Sequence, residues 1–303
     1  MKFWVGITDK DWFDFLASRA PDEVNFWQPS AAAMPRFLEP GIPFLFKLHS
    51  PHNFIAGGGF FVRFSVLPSR LAWEAFGEKN GVSDYAGLRA RIENYRGPGR
   101  GDPEIGCNIL NSPFFWPEEE WIPAPETWAK NIVRGKTFDT DATDGLQLWN
   151  AVEARFAHQS LAVLTAEEGA RYGADYLTRA RLGQGAFRVL VTEAYARRCA
   201  ITGERTLPVL EAAHIRPYAE HGPHLVSNGI LLRSDLHTLF DDGYLTVTED
   251  LSVEVSKRIR EEYENGREYY KHHGQRLIVL PGGDDDKPAR DFLRWHNDHV
   301  FLG

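Results

Sequence analysis

The chain has 303 residues, 43% hydrophobic and 25% charged, with a formal net charge of −8. That mix excludes wholesale disorder, collagen and coiled coil, and no apolar run approaches the ~20 residues that a bilayer span needs. The acidic balance argues against a protein that coats nucleic acid by bulk electrostatics, but it leaves room for a local basic cleft.

The length suits about two domains at the usual ~100–200 residues each. Met1 to Gly6 soon meet Asp9, Lys10 and Asp11, too short an apolar stretch for a secretory signal. The two cysteines, Cys107 and Cys199, lie in no CxxC pair. They make no disulfide scaffold, and a reducing cytoplasm fits them best.

In chain order, the first 145 residues read as β-rich with short helices. Asp9–Ala17 has helical spacing with a plausible start, as does Pro68–Gly77. Phe44–Leu48 and Gly59–Val66 have strand composition. Between them, His52–Gly58 reads as a strand entering a Gly-rich turn or bulge. Phe114–Pro117 and Trp121–Pro125 cannot form a regular helix, because proline removes donors and restricts its neighbours, and they read as a loop that packs its rings on the domain's flank. From Lys136 to Gly145 the chain turns polar, which marks a domain boundary. Leu146–Phe156 reads as an amphipathic helix, Phe187–Arg198 as another, and a terminal helix runs through Phe292 and Trp295 after a solvated loop at Gly282–Pro288. Seven of the nine Trp lie at or before Trp128, so two separately built cores are expected.

The chemistry concentrates in Leu210–Ile215, Ser227–Leu232 and Asp235–Gly243. A short apolar strand presents His214. Asn228–Gly229 is a tight-turn signal before a second strand, Ile230–Leu232. Ser234 is an N-cap candidate for a helix carrying Asp235, His237 and Asp241. His237 and Asp241 are four residues apart, so they share a helix face and suit one cation.

His214, Asn228 and His237, at spacings of 14 and 9 residues within EAAHI, NGILL and DLHTLFDDG, resemble the signature of the HNH nucleases. The resemblance implies a ββα-metal fold, two strands and a helix around one divalent ion. Phosphodiester hydrolysis needs a group that takes a proton from water, and neutral imidazole suits that near neutral pH; His214 is that base. His237 is then a metal ligand, with Asp241 as its companion and Glu211 as an alternative. Mg²⁺ or Mn²⁺ is the expected ion, with Ni²⁺, Co²⁺ or Zn²⁺ as alternatives. By the same resemblance Asn228 orients the loop and the base, and the products carry 5′-phosphate and 3′-hydroxyl ends. The position just before the base, where many relatives hold a second ligand, is Ala213. A structural zinc needs paired cysteines, and Cys199 stands alone. Arg216 and Arg233 flank the motif as candidates for DNA phosphates.

The N-terminal words KFWVGITDKDW, NFWQPS and FKLHSPHNFIAGGGFF resemble the EVE branch of the PUA superfamily, β-barrel-like folds that bind modified nucleic acids. That implies an aromatic-lined pocket for a flipped base, with Trp27, Asn25, Trp4, Phe60 and Trp73 as candidate lining residues. The expectation is an α+β chain: an EVE/PUA-like reader barrel with short helices at 1–145, a helical linker at 146–185, and an HNH domain with flanking helices at 186–303. Its substrate would be double-stranded DNA carrying 5-methyl- or 5-hydroxymethylcytosine, with no membrane partner. One HNH site cuts one strand, so a double-strand break suggests a homodimer or two bound molecules. The alternatives are a modified-nucleic-acid binding protein whose HNH site is weak or inactive, and an RNA-directed nuclease.

Overall fold

A computed structural model describes residues 1–31, 34–35, 37–99, 101–129, 131–164 and 182–303. It divides into two compact units, Met1–Gly183 and Gln184–Gly303. No helix among the described residues is long and apolar enough to cross a membrane.

In the first unit the strands are β1 (Lys2–Thr8), β2 (Glu23–Gln28), β3 (Pro43–Leu48), β4 (Phe54–Pro68), β5 (Glu104–Phe115), β6 (Ile122–Pro123) and β7 (Gly135–Asp139). The helices are α1 (Lys10–Ala17), α2 (Ser69–Phe76), α3 (Tyr85–Arg96) and α4 (Thr143–Leu164). The sheet runs β2-β5-β4-β3-β1-β7, with β6 beside β4. β1 and β3 are parallel, and the other pairs are antiparallel. Among the described residues no pairing joins β7 back to β2, so the expected barrel is not closed. The polar stretch expected as a boundary is partly strand: Lys136–Asp139 pair with Lys2–Val5.

Of the two expected readings of the glycine run at 57–59, turn or bulge, the bulge is the one found. β4 continues through it, with register shifts against β5 at Gly58/Phe60 and Phe61/Arg63. A Cβ at Gly58 would stand 2.6 Å from the Phe114 ring and 2.8 Å from the Phe44 carbonyl oxygen, so only glycine lets these strands approach. Likewise β5 carries Phe114 and Phe115 inside the sheet, where the prolines further on suggested only a loop.

α1 starts where Asp9 adopts an extended conformation, and it buries Trp12, Phe13 and Leu16. Trp12 meets Phe26 and Phe46 edge-on, each at 5.3 Å. Such pairs add roughly 0.5–1.5 kcal/mol beyond the area they bury. Leu148 and Val152 of α4, in the segment expected as a linker, belong to this same core.

The second unit holds α5 (Gln184–Ala194), β8 (Leu210–His214), β9 (Gly229–Arg233), α6 (Ser234–Asp241), β10 (Leu245–Val247), β11 (Val253–Val255), α7 (Arg258–Tyr263), α8 (Arg267–Tyr270) and α9 (Arg290–His299). α5 stops at Ala194, short of the expected Arg198, because Ala196 and Arg197 turn to positive φ. β8 and β9 pair antiparallel, with His214 opposite Gly229 and Glu211 opposite Leu232. α6 follows β9 directly and packs Leu236 and Phe240 into a core with Ile230, Leu231 and Leu232. Ser234 is the first residue of α6 rather than its cap; Arg233 takes that place without a side-chain cap bond.

Candidate active site

The ββα arrangement follows from local patterning. Leu210 and Ala213 face the core from β8, while Glu211 and His214 keep partial exposure. On α6, Leu236 and Phe240 are buried four apart, which turns His237 and Asp241 to the other side of the helix.

His237 lies between two carboxylates: Nδ1 is 2.6 Å from Glu211 Oε2, and Nε2 is 3.2 Å from Asp241 Oδ2. Burial pushes the Asp241 carboxyl up, and the neighbouring His237 opposes that rise. One imidazole nitrogen with the carboxylate it faces, Nε2 with Asp241 or Nδ1 with Glu211, is a donor pair that a divalent ion would accept. The donor chemistry therefore fits a metal. The arrangement is no ready-made cage, since no group of three or more ligand side chains among the described residues is disposed around one ion.

His214, at the end of β8, is held by burial first, and then by the charges of His224 and His237, at a pKa of about 4. It is therefore neutral near pH 7, the form a general base needs. Its ring lies flat on Phe187 of α5, with centroids 3.8 Å apart. Gly229, opposite His214, is needed for this contact: a Cβ there would stand 2.5 Å from Val191 Cγ2 and 3.0 Å from Phe187 Cζ.

Asn228 is fully buried. Its Oδ1 accepts from the Arg216 N–H at 2.9 Å, and its Nδ2 donates to the carbonyls of Arg216 (3.0 Å) and Pro223 (2.9 Å). The expected tight turn at Asn228–Gly229 is replaced by a short 3-10 turn at Val226–Asn228, with Gly229 extended at φ −131. β8 and β9 are joined by a long loop, and Asn228 pins its base.

Neither candidate phosphate-binding arginine projects freely. Arg233 makes a forked ion pair with Asp235 at 2.6 and 2.7 Å. Arg216 lies over the Trp295 ring at 5.3 Å and donates from Nε to the Glu220 carbonyl at 2.7 Å. Phe187, His224 and Tyr218 complete the surroundings of His214. Sequence reasoning missed all three; the one available signal was a pair of histidines, His221 and His224, inside the loop between His214 and Asn228.

In the first unit, a cavity of about 410 Å³ is lined by Trp12, Phe26, Trp27, Tyr95, Asp9 and His49, among others. Trp27 is anchored by its Nε1, which donates to the Asn80 carbonyl at 3.0 Å, and it stands edge-on to Tyr95. The Tyr95 hydroxyl donates to Asp9 Oδ2 at 3.0 Å. Burial first, and then the Asp9 charge, push that phenol up to about 12. Of the expected lining residues only Trp27 faces this cavity. Asn25 is buried, with Nδ2 donating to Asn80 Oδ1 at 2.9 Å; Trp4 and Phe60 are core residues, and Trp73 sits half-buried on α2. Asp9 and His49 escaped sequence reasoning because the parallel pairing of Thr8 with Leu48 brings them together.

Comparison with known proteins adds the following. Residues 199–248 match the family model described as HNH endonuclease. A search of curated proteins gives no match. Among solved structures, the chain is similar to the modification-dependent TagI restriction endonuclease, with 14% identity, 92% of this chain and 76% of that chain covered, and a TM-score of 0.28. It is also similar to a ZmASCH mutant protein from Zymomonas mobilis, with 9% identity, 37% and 75% covered, and a TM-score of 0.26. The match at 199–248 spans β8, β9 and α6 with all the motif residues described above, so this segment is similar to an HNH endonuclease domain.

Proposed function

We propose that this protein is a modification-dependent DNA endonuclease in which the N-terminal unit selects a modified cytosine and the HNH site hydrolyses the phosphodiester. The observation that carries this reading is the convergence of His214, Asn228 and the Glu211–His237–Asp241 cluster on one ββα element.

His214, neutral and braced by Phe187, takes the proton of the attacking water. Asn228 holds the loop that frames it and does not react. His237 would hold the divalent cation with Asp241 beside Nε2, or with Glu211 beside Nδ1, and the cation would supply electrostatic stabilisation for charge on the phosphate and the leaving 3′ oxygen. The resulting ends carry 5′-phosphate and 3′-hydroxyl. Because one such site cuts one strand, a double-strand break comes from two copies; a gel showing only nicks at every enzyme concentration refutes that step.

The reader is the EVE/PUA-like sheet of roughly the first 145 residues. Its cavity falls within the ~300–1,000 Å³ usual for ligand pockets and has an aromatic wall of Trp12, Trp27 and Tyr95. A flipped base stacks on such rings, which repays the few kcal/mol that flipping costs. A second reading, a reader with a weak HNH site, draws on Ala213 and on the way the donors of the cluster pair with one another.

Digestion of matched plasmids carrying cytosine, 5-methylcytosine, 5-hydroxymethylcytosine or N6-methyladenine, under Mg²⁺, Mn²⁺, Ni²⁺ and Co²⁺, tests both readings. Cutting confined to the modified-cytosine plasmids supports the proposal. Selective binding without cutting under every ion supports the second reading, and equal cutting of all four plasmids removes the reader.

A further inference from the structure

His214 meets a second imidazole. Its Nε2 is 2.9 Å from Nδ1 of His224, while its face is closed by Phe187. His224 is braced in turn by Tyr218, whose ring lies parallel to it at 4.7 Å. Both residues sit in the loop that Asn228 ties down through Arg216 and Pro223.

One proton at a time occupies the line between the two nitrogens. If His224 carried it, the proton of neutral His214 would sit on Nδ1, where no acceptor is found among the described residues. If His214 carries it, the same hydrogen bond is made and Nδ1 keeps a bare lone pair. The tautomer of a histidine is set by the bond that its other nitrogen makes, so the second arrangement leaves no donor of His214 unmet.

We infer that His224 is a positioning residue for the nuclease centre: it fixes His214 as the Nε2–H tautomer and so makes Nδ1 the nitrogen that receives the proton of the attacking water. The step rests on the nuclease reading above. The water O–H bond breaks, its proton goes to His214 Nδ1, and the electron pair stays on the oxygen as it bonds to phosphorus. The bond from phosphorus to the 3′ oxygen breaks, and that oxygen is protonated from solvent. The imidazolium so formed keeps its Nε2 hydrogen bond to Nδ1 of His224. Among the described residues the groups that face His214 are Phe187, His224 and, electrostatically, His237, and none of these is a carboxylate that would trap the proton.

The test is long-range ¹H–¹⁵N NMR of the full chain with ¹⁵N-labelled histidine, alongside cleavage rates. The expected result is a pure Nε2–H tautomer for His214 near neutral pH, and a mixture of tautomers in His224→Ala. In His224→Asn, whose side-chain oxygen replaces the acceptor, the single tautomer returns. Cleavage falls roughly 10- to 100-fold in His224→Ala, less than the ~10²–10⁴-fold that the whole proton transfer contributes because the base itself is kept, and recovers in His224→Asn while DNA affinity stays constant. An Nδ1–H tautomer in the wild type, or a tautomer and rate unchanged in His224→Ala, overturns the inference. The tautomer can be read without turnover. A chain that cuts nothing yet shows the expected tautomers refutes the nuclease reading and upholds the hydrogen-bond assignment.

Discussion

Asn228→Ala separates a residue that organises the site from one that reacts. The wild-type amide makes three hydrogen bonds, at 2.9, 3.0 and 2.9 Å, from a fully buried position. Each bond is worth about 1 kcal/mol net, and each stranded buried partner costs about 1–3 kcal/mol. Partial access of water to the loop ends holds the total near the lower bound, so about 3 kcal/mol is expected. Against a typical domain stability of about 5–15 kcal/mol, that is a large loss. Urea unfolding followed by circular dichroism measures it, as a lower midpoint with an unchanged slope. Asn228→Asp keeps the acceptor for the Arg216 N–H but turns carboxylate oxygens to two carbonyls, so it loses at least as much. Nicking by both variants, assayed where they remain folded, falls because the loop that carries His224 and frames His214 loosens. A stability loss below about 0.5 kcal/mol in Asn228→Ala, or full stability with abolished cleavage, refutes this reasoning; the second result would place Asn228 among the reacting groups.

Other outcomes follow from the same geometry. His296 is buried against Phe240 at 3.8 Å, with Nε2 donating to the Phe240 carbonyl and Nδ1 accepting from Thr246, and burial holds its pKa at about 4. Its pKa in the folded state lies below the ordinary value of 6.5, so the unfolded chain binds the extra proton first. Stability is therefore lost as pH falls from about 6.5 toward 4, by on the order of 3 kcal/mol; His214, depressed in the same direction, adds to this. Urea midpoints between pH 7 and pH 4 should show the drop, and His296→Leu should flatten it. Gly229→Ala should cost about 1–3 kcal/mol by overpacking against Val191 and Phe187, and should slow nicking by tilting Phe187 from His214, as unfolding and cleavage assays will show. Glu211→Gln and Asp241→Asn should each weaken Mn²⁺ binding at least ~10-fold by calorimetry, since each removes a charged oxygen beside His237. Trp27→Ala should weaken binding to modified duplex by about 1–3 kcal/mol, the worth of one stacked base, and leave unmodified duplex unaffected in a gel-shift assay.

The HNH words were readable because the element is local. Strand, loop, strand and helix fall within Leu210–Asp241, and their periodicities survive in the sequence. The first unit was harder because its sheet is built from distant pairings: β1 finds its antiparallel partner, β7, only at Gly135–Asp139. A five-residue strand of Gly, Lys, Thr, Phe and Asp carries almost no apolar signal of its own. Gly57–Gly59 read as either a turn or a bulge because glycine serves both turns and close strand contacts, and the rings and carbonyls packed over it, with the register shift at Gly58/Phe60, decide for the second. Asn228–Gly229 resembled a hairpin turn for the same reason, although the amide acts as a clamp for a long loop. His224 had no periodic or spacing signal, since a residue on an irregular loop is placed by tertiary contacts alone.

The most direct measurement is single-turnover cleavage of DNA carrying modified cytosine by the wild type, His214→Ala and His237→Ala at saturating Mn²⁺, with DNA affinity measured in parallel. The wild type should leave 5′-phosphate and 3′-hydroxyl ends, and each variant should cut at least ~100-fold more slowly while binding the same DNA equally well. Cutting by His214→Ala at the wild-type rate would contradict the assignment of that imidazole as the base.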